Sequence, residues 1–135
     1  MNIVEGHVLV LNLPFANGTP CKYKRPFLVI NKYDNILELL NVSSIKGKEK
    51  KLLYPSNEKI KKYFPPLDYP SFIKKDELYI IDSFPELASS IYKRRDPIQT
   101  TELSRLVEKY LVYRERHDVT EVKYIETTVK EINSL

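Results

Sequence analysis

The sequence predicts a mainly β protein of the α+β class, an antiparallel β-barrel over about residues 1–85 followed by C-terminal helices over about residues 86–135. Three observations predict it. Short apolar, β-branched segments follow one another closely and are separated by turn signals. No helix-length periodicity lies between the first three of them, which argues against a βαβ arrangement. Apolar residues at helical spacing appear only late in the chain.

The first strand is read from His7 to Leu13 (HVLVLNL), ending at Pro14 and a turn-like loop, Ala16-Asn17-Gly18-Thr19-Pro20. Pro26 opens the second, Phe27 to Asn31. After the turn signal Asp34-Asn35 the third runs from Ile36 to Ser44. A short fourth strand is expected at Leu52 to Tyr54, beyond the charged turn Lys46 to Lys51, and a late one at Glu77 to Asp82 (ELYIID). Between these two, Ser56 is placed to cap a short helix over Asn57 to Tyr63, and the proline-rich run Phe64 to Pro70 follows.

Ser83-Phe84-Pro85-Glu86 has the form of a capping box leading into a helical turn through Ile91. Leu103, Leu106, Val107, Tyr110 and Leu111 define an amphipathic helix with Thr100 or Thr101 as N-cap, its stripe covering the open side of the barrel. Val122, Ile125, Val129 and Ile132 predict a last helix, with Asp118 and Glu121 at its start.

A chain of 135 residues has room for one core, and it is read as a single domain. No apolar run approaches the roughly 18 residues of a membrane span, and Glu5 with no preceding Lys or Arg is unlike a signal peptide. The expectation is a cytoplasmic protein with no membrane partner. Cys21 has no second cysteine to pair with, and His7 and His117 are too few for a zinc cluster, so neither a disulfide nor a metal cofactor is expected.

The net charge is +4, from 22 Lys and Arg against 18 Asp and Glu. Its distribution says more than its size. Basic clusters fall at Lys22, Lys24 and Arg25; at Lys46, Lys48, Lys50 and Lys51; at Lys59, Lys61 and Lys62; and at Lys93, Arg94 and Arg95. Loops of this kind attract a polyanion, although any one cluster is ordinarily just solvated surface.

Gly6-His7-Val8-Leu9-Val10-Leu11, a loop containing Asn17-Gly18, and then Lys24-Arg25-Pro26-Phe27-Leu28-Val29-Ile30 together resemble the opening of MazF/PemK-like toxins. The likeness continues through Val42-Ser43-Ser44 and, more loosely, to Ile81-Asp82, over roughly the first two thirds of the chain. It implies an SH3-like barrel, a homodimer, and neutralisation by an acidic antitoxin segment. It also implies an endoribonuclease without metal or other cofactor, in which the 2′-hydroxyl of single-stranded RNA attacks the adjacent phosphorus to leave a 2′,3′-cyclic phosphate and a 5′-hydroxyl.

Under that resemblance Arg25 matches the catalytic arginine, whose planar fork of donors suits a phosphate gathering negative charge. Ser43 takes the place of a threonine hydroxyl, or Ser44 if the register slips; neighbours on a strand face opposite sides, so only one joins Arg25. Asp82 matches an acidic residue that accepts the 2′-hydroxyl proton or orients Arg25. Lys22, Tyr23, Lys24 and Thr19 in and after the first loop, with Lys46, Lys48 and Lys50 in the third turn, are the RNA-binding candidates. Phe15, Tyr23, Tyr54 and Tyr69 are candidates for base stacking. Thr19-Pro20 stands where the family has His/Glu-type residues, and His7 where Asp is usual. These departures favour the alternative of a catalytically inactive barrel that binds nucleic acid or a protein partner; a third possibility is an assembly module.

Overall fold

The computed structural model describes residues 2–135. Seven strands form one sheet: β1 (Val8–Leu11), β2 (Arg25–Tyr33), β3 (Ile36–Ser44), β4 (Asn57–Lys59), β5 (Ser71–Lys74), β6 (Glu77–Asp82) and β7 (Thr120–Tyr124). Two helices, α1 (Thr100–Arg116) and α2 (Glu126–Asn133), flank β7 in the chain. Every ladder is antiparallel except β6 with β7. The strand path β1-β2-β3-β5-β4 has β6 branching from β3 and β7 beside β6, so among the described residues the sheet is open.

Both faces of this sheet are buried, which is why its strands read as continuous apolar runs rather than as alternating ones. Leu9, Leu11, Phe27, Val29, Leu37, Leu39, Tyr79 and Ile81 point to one face, closed by Ile3, Leu87 and Val129 of α2. Val8, Leu28, Leu40, Val42, Ile73 and Leu78 point to the other, where Leu106 and Tyr110 of α1 close it. Each fully buried Leu or Phe contributes about 1.5–3 kcal/mol. The α1 stripe covers one face of this open sheet. Its N-cap is Gln99, one residue before the threonines expected there, and no side chain caps the helix.

The β2–β3 and β6 readings hold, with β2 extended to begin at Arg25 and β1 shorter than the seven residues expected. Other expectations are corrected. Leu52–Tyr54 is no strand: Glu49–Leu53 forms a 3-10 turn, and Leu53 is exposed with no core to enter. Asn57–Tyr63 is no helix: Asn57–Lys59 is β4, paired with β5, a strand missing from the sequence reading. Tertiary pairing outweighs the local cap signal at Ser56, whose carbonyl instead accepts the Lys75 N–H.

At the capping box, Phe84 holds the N-cap position without a side-chain bond, and Pro85–Ser90 is a 3-10 turn. The helix expected from Asp118 onward is divided. Its β-branched first half becomes β7 on the free edge of β6, and only Glu126–Asn133 is helical. The region after residue 86 is therefore not purely helical.

Candidate active site

Arg25 opens β2 opposite Leu11, on the same face as Phe27. The loop before it turns through Gly18, whose φ of +88° is a conformation that residues with a Cβ rarely adopt. That turn, closed by Gly18 N–H to Phe15 carbonyl (2.7 Å) and Phe15 N–H to Thr19 carbonyl (2.8 Å), carries Phe15 back over the strand. The Arg25 guanidinium carbon lies 4.4 Å from the Phe15 ring centroid, 5.2 Å from Phe27 and 5.6 Å from Tyr79. Its Nη2 donates to the Leu13 carbonyl at 2.9 Å.

Arg25 as a whole is only 7% exposed, yet none of the ion pairs among the described residues includes it. Its Nε and the nearby Tyr79 hydroxyl are both buried and, beyond a loose approach of the phenol to the guanidinium, meet no hydrogen-bond partner. Burial pushes the Tyr79 phenol above its ordinary range, with Arg25 opposing. A desolvated cation without a counter-charge is costly, and an anion entering beside it recovers that cost.

The space for an anion comes from a break in the ladder. The β2–β3 pairing ends at Phe27↔Asn41, because Pro26 has no N–H to continue it. The Asn41 carboxamide takes over, donating to the carbonyls of Pro26 (3.0 Å) and Val42 (3.4 Å). Beyond this wedge β3 continues with β5 on its other side, and a cleft of about 310 Å³ opens between the strand ends.

Continuing the register two residues puts Ser43 opposite Arg25, and the two-residue period of a strand places both on one face. By that period Ser43 lies on the face of Arg25 and Ser44 on the opposite one, although both border the opening. Lys48 Nζ donates to Ser43 Oγ at 3.0 Å, which leaves the serine O–H free to donate. Lys24, Lys48 and Lys74 line the cleft with Arg25, and no carboxylate does. Burial draws the Lys74 ammonium below its usual range; Glu77 opposes, and Lys51, Lys48 and Arg25 reinforce the fall. Burial and Asp76 push the Glu77 carboxyl up, against Lys74 and Arg25.

Of the residues singled out by sequence, the structure brings together Phe15, Arg25, Ser43, Ser44, Tyr23, Lys24 and Lys48. Asp82 lies elsewhere. It pairs with Ile36 at the turn end of the β2–β3 hairpin, about 25 Å along the strands from Arg25 at roughly 3.3 Å per residue. There its Oδ2 accepts the Glu126 N–H at 2.8 Å and stabilises the start of α2. Thr19 is exposed and shapes the first turn, its N–H bonded to Asn17 Oδ1. Lys22, Lys46 and Lys50 are exposed outside the cleft, Lys46 bordering a neighbouring groove.

His7 is buried and structural: its Nδ1 accepts the Val4 N–H at 2.9 Å, and burial lowers its pKa with Asp96 opposing. Cys21 is buried with its thiol directed at the Tyr23 carbonyl. Among the described residues no cluster of His, Cys, Asp or Glu has the geometry to hold a metal ion, and no helix is long and apolar enough to cross a membrane. The sequence reading missed Asn41 and Lys74. A lone amide inside the apolar run ILELLNVSS signals the first, whereas the second is hidden with its unrecognised strand. No protein-family model matches the chain, and no curated protein matches it.

Proposed function

We propose that the Arg25 cleft is the active site of a metal-independent endoribonuclease of the MazF/PemK-like kind, built on a sheet curled as an SH3-like barrel. One observation carries this reading: a buried guanidinium with no carboxylate partner and a free Nε, at the mouth of a cleft lined by lysines. In the reaction the substrate's 2′-oxygen forms a bond to phosphorus while the bond to the 5′-oxygen breaks, and the 2′-hydroxyl proton is released to water as water protonates the departing 5′-oxygen, giving a 2′,3′-cyclic phosphate and a 5′-hydroxyl. Negative charge builds on the non-bridging oxygens. Arg25, the Ser43 hydroxyl and Lys48 are grouped to stabilise it, and Lys24 and Lys74 extend the positive field to flanking phosphates. Single-stranded RNA is the substrate because an in-line 2′-hydroxyl requires an unstacked nucleotide. The same reading makes the chain the cytoplasmic toxin of a toxin–antitoxin pair, a homodimer neutralised by an acidic antitoxin.

A second reading, a barrel of this type that binds RNA without cutting it, is favoured by one specific feature: neither an imidazole nor a carboxylate lines the cleft to take the 2′-hydroxyl proton. Incubating the purified protein with mixed single-stranded RNA in EDTA, wild type beside Arg25→Ala, separates the two. The nuclease yields fragments with cyclic-phosphate and 5′-hydroxyl ends, lost in the variant. Intact RNA with both proteins, together with salt-sensitive binding by the wild type, supports the second reading and overturns the first.

A further inference from the structure

The cleft at Arg25 does not stop at the serines. Pro26, Val42 and Ser44 border it and also border an adjoining, mostly apolar pocket of about 240 Å³ whose far wall includes Leu67, Tyr69 and Tyr92. The size is below the roughly 300–1,000 Å³ of pockets for larger organic ligands and suits one planar ring system. Tyr69 is 67% exposed, an aromatic ring left uncovered beside an apolar pocket.

The only carboxylate bordering the pocket, Asp68, is already engaged. It accepts the Tyr92 hydroxyl at 2.5 Å and Lys93 Nζ at 2.8 Å, and pairs with Arg95 at 2.6 Å. This pins the Tyr92 ring and cancels the one negative charge facing the pocket. What remains is an apolar, aromatic-walled space whose one charge is neutralised, one strand step from the position opposite Arg25.

We propose that this pocket takes the unpaired base of the nucleotide next to the phosphate held at Arg25, so that the site reads its polyanion by stacking as well as by charge. The proposal rests on the RNA reading above. Because successive residues of β3 face opposite ways, Ser43 serves the phosphate side and Ser44 the base side. The sharing of Pro26, Val42 and Ser44 with the lysine-lined Arg25 cleft favours a nucleotide as occupant, since a free inorganic anion has no use for apolar walls.

The test is equilibrium binding of two oligomers of equal length, a mixed-sequence 2′-O-methyl ribonucleotide and its abasic sugar-phosphate counterpart, in EDTA. Wild type is expected to prefer the base-bearing oligomer by about tenfold or more. Tyr69→Ala removes that preference and leaves abasic binding unchanged; Tyr69→Phe retains the preference. Because Tyr69 is mostly exposed, its variants keep the wild-type melting profile. If wild type shows a preference that Tyr69→Ala leaves intact, or if Tyr69→Ala weakens both oligomers equally, the base pocket is overturned while the RNA reading stands. If wild type binds neither oligomer, both fall.

Discussion

Arg25 and Arg105 are both largely withdrawn from solvent, and they are treated in opposite ways. Arg105 donates from Nε to Glu102 at 2.8 Å, from Nη1 to Glu58 at 3.1 Å, and from Nη2 to Glu102 and the Lys59 carbonyl. Glu102 in turn accepts the N–H groups of Lys61 and Lys62. Lys75 adds a second cation at Glu58, at 3.4 Å, so this network ties α1 to the segment around β4 with every charge in it opposed. Arg25 has a single carbonyl, three aromatic rings and an unused Nε. The difference teaches what an arginine is for: full internal pairing holds a fold together, while pairing left undone keeps donors for a ligand.

The sharpest way to break this comparison is to exchange the consequences. Replacing Arg25 with Met keeps much of the buried stem, and the expected loss of RNA cleavage is about 10²-fold or more, read by fragment yield per unit time. Arg105→Met is expected to leave the cleavage rate of the folded protein near wild type but to cost about 1–3 kcal/mol of stability in urea unfolding, since it leaves the buried Glu102 without its cation and Glu58 with Lys75 alone. Equal effects on both properties from both variants would dissolve the distinction.

Acid titration sharpens it further. Burial alone raises the Glu102 carboxyl, but Arg105 and the two backbone N–H groups outweigh it and hold the group below its ordinary 4.5. A carboxyl depressed in the folded state contributes stability that is fully present above 4.5 and lost as the pH falls through the folded value. Urea midpoints measured from pH 6 down to 3 are expected to decline less steeply in Glu102→Gln than in wild type.

At the other arginine, the depressed Lys74 ammonium limits the cleft from the alkaline side. Cleavage is expected to fall as the pH rises toward a point below 10.5, and Lys74→Arg to move that limb upward. The smallest effect belongs to Asp82→Asn. It is expected to lower stability by about 0.5–1 kcal/mol through the α2 terminus, and to leave the cleavage rate unchanged.

The parts of the fold legible in the sequence are those whose burial is decided locally. The runs at β2, β3 and β6 are apolar enough to be strands in any partner's company, and α1 declares itself by its stripe. β4, with the sequence Asn-Glu-Lys, is a strand only because β5 lies beside it, and β7 only because β6 has a free edge. Such elements take their state from tertiary pairing, so local patterns there pointed to helix.

The candidate site divides in the same way. Arg25 and Ser43 were legible from an ordered motif, and Tyr23, Lys24 and Lys48 from charge and aromatic clusters. Asp82 was misplaced because a position at the end of a strand does not say which end of the sheet that strand reaches. Lys74 was invisible until β5 was known, and the role of Asn41 depends on a ladder break that only the register reveals.

The most direct test of the account is a paired measurement on Arg25→Met: metal-free cleavage of single-stranded RNA and the urea midpoint of the same preparation. Cleavage is expected to disappear while the midpoint stays the same or rises, because a buried charge with no ion-pair partner has been removed. A midpoint that drops as far as in Arg105→Met, with cleavage retained or never present in the wild type, would contradict it.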